Sequence, residues 1–158
     1  MNKVSLFEHS AGVVKPEWID YNKHMTVPRY FDAILNSINL WFDQEADLGE
    51  SYMAATGHSM FTVQSHWNYL RELLLGDPLT VTLQLLQADI NKIRYICHLY
   101  HAEKDYLAAT GEFLVVHVNM QTRKTASFSE DKLTQLKAMQ ARHASAGVSP
   151  YANAIKHR

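Results

Sequence analysis

The segment that decides the fold is a long apolar stretch at residues 26–42, which reads TVPRYFDAILNSINLWF. Thr26 is a suitable N-cap, and Pro28 lies near the first helical position, where a missing N–H costs nothing. Apolar side chains then recur at spacings of three and four, at Phe31, Ile34, Leu35, Ile38, Trp41 and Phe42. This spacing predicts a helix with one wide apolar face, and such a face needs a sheet to pack against.

Beyond Gly57 the apolar spacing changes to two, which is the period of a β-strand. One face of this strand carries Phe61, Val63, Ser65, Trp67 and Tyr69, and the other carries Thr62, Gln64, His66 and Asn68. A second strand with alternating apolar residues runs from Leu79 to Leu85, after a turn at 76–78. Two more strands are predicted at about 92–102 and 106–120, and an earlier short one at about 6–14. The short turns between neighbours indicate antiparallel hairpins.

A second helix is predicted after Ser129, an N-cap that two acidic residues follow, with Leu133, Leu136 and Met139 on its apolar edge. The order is one strand, a long helix, four antiparallel strands and a terminal helix. This order predicts an α+β fold with a five-stranded antiparallel sheet. We expect one domain at residues 1–147 and a C-terminal tail at 148–158 without a role in the core.

The outer face of the predicted sheet carries apolar or aromatic residues that the long helix cannot cover. They are Ile96, Tyr100, Leu114, Val116 and Val118. An apolar face of this size is unusual on a monomer, so we expect part of it to pack on another subunit.

Composition limits the partners that the chain can have. Of its 158 residues 47% are hydrophobic, and 15 Lys and Arg against 16 Asp and Glu give a net charge of −1. Without a basic field, nucleic-acid binding is not expected. The sequence also lacks a secretory signal and a run of about 18 apolar residues, so we expect a cytoplasmic protein that does not enter a membrane. The lone cysteine, Cys97, is expected to be a buried thiol.

The residues that suggest chemistry lie in the loop before the long helix, which reads WIDYNKHM at 18–25. Hydrolysis of a thioester needs a base or nucleophile, and donors for the oxyanion that develops on the carbonyl. Asp20 can serve as the first, and backbone N–H groups at the helix start, around Val27 and Arg29, can serve as the second. By spacing alone, however, an Asp and an Asn before a helix are more often turn or capping residues.

A resemblance adds to this interpretation. The run from Asp20 to Met25, followed by Tyr30 on the helix, resembles the motif that opens the central helix in hotdog proteins like 4-hydroxybenzoyl-CoA thioesterase. The segment at 69–79, YLRELLLGDPL, resembles the second hallmark of that family, a bent strand before a Gly-Asp turn. The resemblance implies a sheet wrapped around the helix, a homodimer or homotetramer with an interfacial active site, and acyl-CoA as the substrate.

The same resemblance implies roles for the loop residues. Asp20 would be the general base or the nucleophile, while Asn22 and His24 would orient the carboxylate or the attacking water. The helix start would polarise the thioester carbonyl. Lys23 departs from the pattern, because many relatives have a glycine there, which takes a positive φ at little cost.

A closer resemblance concerns the acyl group. The segments FTVQSH at 61–66 and HLYHA at 98–102 are similar to the thioesterase domains fused to, or encoded with, L-carnitine dehydrogenase, which act on betainyl-CoA. The trimethylammonium group of such a substrate is bound by aromatic faces. The expected substrate-binding residues are Trp18, Tyr21, Val27 and Tyr30 near the loop, with Gln64 and His66 on the polar strand face.

Other sites are not supported by the sequence. His98 and His101 lie three apart on a strand and face opposite sides, so with His117 they do not indicate a metal site. No phosphate-binding loop and no nucleophile elbow occurs, and we expect no cofactor. Four basic residues could contact CoA phosphates, although such residues are usually only solvated: Arg71, Arg94, Arg123 and Lys124. Two other functions stay open, a hotdog hydratase or dehydratase and a non-catalytic protein that binds acyl-CoA or betaine.

Overall fold

The computed structural model describes residues 6–156, which form three α-helices and six β-strands. The strands are β1 (Phe7–Val13), β2 (His58–Tyr69), β3 (Pro78–Ala88), β4 (Lys92–His101), β5 (Leu107–Asn119) and β6 (Lys124–Thr125). The helices are α1 (Val27–Trp41), α2 (Glu50–Thr56) and α3 (Glu130–Ala144). None of these helices has the length and apolar character needed to cross a membrane.

The sheet has the strand order β1-β3-β4-β5-β2, and every neighbouring pair is antiparallel. The two-residue strand β6 adds a short hairpin to β5. Helix α1 lies on the inner face, where Trp41 packs on Tyr95 and Phe31 packs on Phe113 at ring distances of 5.4 and 5.9 Å. The predicted α+β fold with a five-stranded antiparallel sheet around a long central helix is therefore confirmed.

Helix α1 begins where the sequence predicts, but its buried face is rotated from the predicted one. Thr26 occupies the N-cap position without a side-chain hydrogen bond. The buried side chains are Tyr30, Ala33, Ile34, Ser37, Ile38 and Trp41. Phe31 and Leu35, which were expected in the stripe, are 38% and 39% exposed. One edge of the apolar stripe therefore lies outside the core of the chain.

The chain between α1 and β2 contains a helix that the sequence did not reveal. A single π-helical turn, Phe42–Ala46, ends α1 and leads to α2. Tyr52 of α2 hydrogen-bonds His117 Nε2 at 2.8 Å, which ties the helix to β5. With seven residues and none of them buried, α2 has no apolar periodicity strong enough to be recognised.

Strand β2 forms one edge of the sheet and contains a β-bulge between Thr62 and Gln64. The extra residue reverses the alternation of faces. Trp67 and Tyr69 face α1, but Phe61 pairs with Val116 on the outer face and lies under Arg123. The prediction that Phe61 and Val63 share the face of Trp67 is therefore wrong.

The outer face of the sheet is covered by the C-terminal part of the same chain. Gln84 donates to the carbonyl oxygens of His143 and Gly147, at 3.0 and 2.9 Å. The buried carboxylate of Glu112 accepts a hydrogen bond from the Ile155 N–H at 2.8 Å. Ile155 is itself buried, so the expectation that the tail after residue 147 lacks a core role is wrong at that position.

This covering explains why a single chain buries part of the outer face. Ile96, Leu114 and Val118 are buried without any second subunit, so these three residues do not need one. Tyr100 and Val116 are half-buried. The sequence shows that this face is apolar, but it does not show that a polar-looking tail returns to cover it.

Candidate active site

The loop before α1 is held in place by backbone hydrogen bonds at both ends. Met25 donates to the Leu73 carbonyl at 2.8 Å, and Thr26 donates to the Trp18 carbonyl at 3.0 Å. An isolated bridge pairs Ile19 with Met25. The loop tip between these anchors therefore has a fixed base from which to present its side chains.

Asp20 organises the tip of this loop. Its Oδ1 accepts the Asn22 N–H at 2.8 Å, and its carbonyl accepts the Lys23 N–H at 3.0 Å. This is the local turn that Asp and Asn often make, so the capping interpretation describes the conformation of the loop. Lys23 has a φ of 62°, the conformation that glycine takes at little cost.

The three predicted catalytic residues differ in exposure. Asp20 and Asn22 are exposed, and His24 is half-buried. His24 Nδ1 lies 3.1 Å from the Met25 carbonyl oxygen, which can only accept a hydrogen bond. Nδ1 therefore carries the proton of the neutral ring, and Nε2 keeps a lone pair that can accept one.

A cavity of about 230 Å³ lies at the start of α1. It is lined by His24, Met25, Val27, Tyr30, Tyr69, Leu70, Arg71 and Glu72. We call it the helix-start cavity. The structure thus brings together three predicted site residues, His24, Val27 and Tyr30. It adds four residues at and after the end of β2 that were not among the expected substrate-binding residues: Tyr69, Leu70, Arg71 and Glu72.

The backbone N–H groups at the helix start differ in whether they are free. Pro28 has no N–H, and the Arg29 N–H already donates to the Thr26 carbonyl at 3.0 Å. The expectation that Arg29 supplies an oxyanion donor is therefore wrong in this conformation. Within residues 6–156, the Val27 N–H has no hydrogen-bond acceptor, and Val27 lines the cavity.

Of the three aromatic residues expected to bind substrate, only Tyr30 lines the helix-start cavity. Trp18 is buried in the core, and Tyr21 is 88% exposed on the loop. Tyr30 instead meets Tyr69 edge to face, with ring centroids 5.1 Å apart. Burial, together with the nearby Tyr106, Tyr69 and Glu72, raises the pKa of Tyr30, so its hydroxyl stays protonated.

Two charged residues complete the cavity rim. The guanidinium of Arg71 lies 3.9 Å from the centroid of the Tyr106 ring, and the Tyr106 hydroxyl donates to the Glu72 carbonyl at 2.8 Å. Both side chains are exposed. Both belong to the segment at 69–79 that carries the family resemblance, and Arg71 was also considered as a contact for CoA phosphates.

Gln64 and His66 lie on the outer face of β2, opposite Leu114 and Glu112. Both are exposed, and neither lines the helix-start cavity of its own chain. Among the basic residues considered for CoA, Arg94 is buried 3.6 Å from Glu112 and is not available at the surface.

The histidines considered for a metal site have separate structural contacts. His98 bonds Ser149, His101 lies 3.4 Å from Asp77, and His117 bonds Tyr52. In the part of the chain that the structure describes, no three His, Cys, Asp or Glu side chains are arranged to hold a metal ion.

The sequence from residue 14 to residue 140 matches the family model of the thioesterase-like superfamily, which is most of the chain. The chain belongs to this superfamily. The family membership and the hotdog fold that the two motifs implied are therefore confirmed.

Among relatives in this superfamily, a betainyl-CoA thioesterase from Pseudomonas aeruginosa is 31% identical over 137 residues, covering 82% of this chain and 81% of that protein. A bifunctional L-carnitine dehydrogenase/betainyl-CoA thioesterase from Rhizobium meliloti is 33% identical over 138 residues. That match covers 83% of this chain but 26% of the relative, so the chain spans about a quarter of such fused proteins.

Solved structures agree with this assignment. A Staphylococcus aureus protein determined in complex with CoA has a TM-score of 0.80 and 30% identity, over 90% of this chain and 88% of that one. The YbaW probable thioesterase from Escherichia coli has a TM-score of 0.70 and 20% identity, over 84% and 98% of the two chains, which supports the fold alone.

Proposed function

We propose that this thioesterase-like chain is an acyl-CoA thioesterase that hydrolyses betainyl-CoA to betaine and CoA. The observation that carries the proposal is the helix-start cavity. It combines a free N–H at Val27, the His24 ring with Nδ1 against the Met25 carbonyl, and the Tyr30–Tyr69 aromatic pair beside the Asp20 loop. The likeness to a stand-alone betainyl-CoA thioesterase along 82% of the chain supports the substrate.

In the proposed mechanism the thioester carbonyl lies at the start of α1, where the Val27 N–H and the positive end of the helix dipole stabilise the oxyanion. Asp20 acts in one of two ways. As a general base it removes a proton from water, whose oxygen attacks the carbonyl carbon. The C–S bond then breaks, and the CoA thiolate takes up the proton.

As a nucleophile, Asp20 instead attacks the carbonyl carbon itself and expels the CoA thiolate, which is then protonated. Water hydrolyses the resulting anhydride and regenerates the carboxylate. In both versions Asn22 and His24 orient the carboxylate or the water. The Asp20 carboxylate has to share or release its bond to the Asn22 N–H when it reacts.

The trimethylammonium group is proposed to bind against the cavity-facing sides of the Tyr30 and Tyr69 rings, with the Glu72 carboxylate nearby. Two ring faces at a steep angle offer a quaternary ammonium more than one cation–π contact, each worth about 0.5–2 kcal/mol. Arg71 carries a like charge, but its guanidinium is stacked on Tyr106. This replaces the expected trio of Trp18, Tyr21 and Tyr30.

We also propose that the protein acts in the cytoplasm as a homodimer or a homotetramer with an interfacial active site. The twelve-residue edge strand β2 supports this, because most of its side chains are at least partly exposed and its outer edge can pair with a second copy. Pairing there would bring Gln64 and His66 of each copy to the interface, which is how they would reach substrate.

The test of the proposed function is release of CoA thiol from betainyl-CoA by the purified protein. Thiol release above the rate of a heat-denatured control is the expected result. Tight binding of betainyl-CoA without thiol release would instead indicate a binding protein. Water addition to an enoyl-CoA, without thiol release, would indicate a hydratase.

A further inference from the structure

Two adjacent residues of opposite charge lie at the rim of the helix-start cavity. Arg71 and Glu72 both belong to its lining, and both are exposed just after the end of β2. A cationic acyl group in the cavity is attracted by the Glu72 carboxylate and repelled by a guanidinium at a similar distance. The position of the Arg71 charge therefore decides whether the two effects cancel or the attraction prevails.

The charged end of Arg71 lies on the ring of Tyr106. The guanidinium carbon is 3.9 Å from the ring centroid, well within the range of a cation–π contact. Tyr106 is not among the residues that line the cavity. The ring therefore holds the positive charge on a residue outside the lining, although Arg71 itself is part of that lining.

Tyr106 is fixed by contacts of its hydroxyl, its backbone and its ring. The hydroxyl donates to the Glu72 carbonyl at 2.8 Å, and the Tyr106 carbonyl accepts the His101 N–H at 3.0 Å. The ring also meets the buried ring of His101, with centroids 5.1 Å apart. His101 Nε2 in turn lies 3.4 Å from the Asp77 carboxylate. The surface on which Arg71 is stacked is therefore formed before any substrate enters.

This ring is what holds the Arg71 side chain in its position. The Arg71 backbone is fixed, because its N–H donates to the Ala108 carbonyl at 3.1 Å. Within residues 6–156, however, the guanidinium makes no salt bridge, even with the adjacent Glu72. An arginine side chain without such a partner samples many rotamers. Without the ring, the charge is free to turn towards the cavity.

We infer that Tyr106 is a positioning residue that sets the charge preference of the site through Arg71. While Arg71 is stacked, the Glu72 carboxylate acts on the acyl group without a competing cation, so a positive end is favoured over a negative one. Once Arg71 is released, it repels the positive end and attracts the negative one. The inference rests on the proposed function, since it concerns the ammonium group of a substrate in the helix-start cavity.

The test compares three CoA thioesters in the unmutated protein and in Tyr106→Leu, which lacks the ring. Betainyl-CoA carries a positive charge, its tert-butyl analogue is neutral, and malonyl-CoA carries a negative charge at the same place in the acyl group. In Tyr106→Leu, kcat/KM for betainyl-CoA relative to the neutral substrate should fall about three- to tenfold, the effect of one like charge several Å away in a watery site. The same ratio for malonyl-CoA should rise by a similar factor.

Two further variants separate this role from a structural one. Tyr106→Phe keeps the ring and loses only the hydroxyl, so it should keep both ratios of the unmutated protein. The double variant Tyr106→Leu with Arg71→Gln has no charge to release, so both ratios should return to within about twofold of their original values. In Tyr106→Leu the change should also shrink in about 0.5 M salt, which screens an exposed charge.

Several results would overturn the inference and leave the thioesterase standing. They are unchanged ratios in Tyr106→Leu, an equal loss of kcat/KM for all three substrates, and a changed ratio that persists in the double variant. Tyr106→Gln is a second variant without the ring, suited to a half-buried position, and it should give the same shift if Tyr106→Leu does not fold. Absence of thiol release from every substrate in the unmutated protein would overturn the proposed function as well.

Discussion

At the scale of single residues, Asp20 has two roles that compete for one carboxylate. Its Oδ1 accepts the Asn22 N–H and so shapes the loop, while the proposed chemistry needs an oxygen that can take a proton or attack a carbonyl. An asparagine keeps the accepting oxygen and the size of the side chain. It removes only the basic or nucleophilic oxygen.

Asp20→Asn should therefore lower kcat for thioester hydrolysis by about a hundredfold or more while the fold stays intact. Thiol release and circular dichroism measure the two parts of this prediction. Asp32→Asn on the exposed side of α1 is a control that should keep normal turnover. Full turnover by folded Asp20→Asn would contradict the mechanism.

His24→Ala should lower kcat less than Asp20→Asn does. A loss of kcat as large as that of Asp20→Asn would make His24 a direct participant.

A second prediction at this scale concerns the Tyr30–Tyr69 pair. Betainyl-CoA should have a higher kcat/KM than its neutral tert-butyl analogue, because two ring faces attract the ammonium and not the isostere. Tyr69→Leu should lower the ratio of the two kcat/KM values about two- to thirtyfold, whereas Tyr69→Phe, which keeps the ring, should preserve this ratio. Trp18→Leu is not expected to act on this ratio, since Trp18 is buried in the core. Equal rates for both substrates in the unmutated protein would eliminate the cationic site.

At the scale of elements, α3 protects the part of β3 that lies beyond its pairing with β1. That pairing reaches Leu83, and the next free backbone donors meet side chains of α3. The Leu85 N–H donates to His143 Nδ1 at 2.9 Å, and the Ala88 N–H donates to Gln140 at 2.9 Å. Backbone groups of an exposed sheet edge are thus satisfied without another strand.

His143 should make the stability of this contact depend on pH. Burial, with Arg142 nearby, lowers the pKa of His143 to about 4, against 6.5 for an ordinary histidine. The neutral ring is required to accept from Leu85, so the unfolded chain binds a proton more readily than the folded one. The contribution is complete above pH 6.5 and is lost as pH falls from 6.5 towards 4.

Urea unfolding at pH 7.5 and pH 4.5 measures this effect, which is on the order of 2–3 kcal/mol from the size of the shift. His143→Asn keeps an acceptor near the position of Nδ1 but does not titrate, so its stability should depend less on pH. His66→Asn, at an exposed histidine, should keep the dependence of the unmutated protein. An identical pH dependence in His143→Asn and the unmutated protein would show that other groups cause it.

At the scale of the whole molecule, the open edge of the sheet, more than its outer face, is the surface that favours an oligomer. The C-terminal segment covers the face that we expected to need a partner. Among the residues that the structure describes, no strand pairs with the outer edge of β2, and Val63 at its bulge is 56% exposed. An open edge of twelve residues is a template for pairing with a second copy.

Sedimentation at micromolar concentration should therefore show at least a dimer. Val63→Lys should shift it towards monomer and lower turnover, because a charge on an edge strand opposes pairing. Val148→Lys is the matched control, since Val148 is 70% exposed and lies outside β2. A stable, fully active monomer of the unmutated protein would refute the interfacial site.

The long helix α1, strands β1 to β5 and helix α3 followed from the sequence because they depend on local periodicity. The three- and four-residue spacing after Thr26 predicted α1, and the alternation from Leu79 to Leu85 predicted β3, whose alternate residues are buried. The proposed site region also follows from local chemistry, since the Asp20 loop, Val27 and Tyr30 are neighbours in the chain, and it stays a prediction. Two motifs in the right order were enough to identify the superfamily.

Three features were decided only by tertiary structure, because each depends on contacts between residues far apart in the chain. The bulge in β2 is a mismatch with β5, and it moved Phe61 to the outer face. Tyr69 lines the helix-start cavity because the end of β2 lies against the start of α1. Glu112 and Gln84 bind the C-terminal segment, which no periodicity in that segment could predict. Local spacing determines which elements form, whereas long-range packing decides which of their side chains meet in a site.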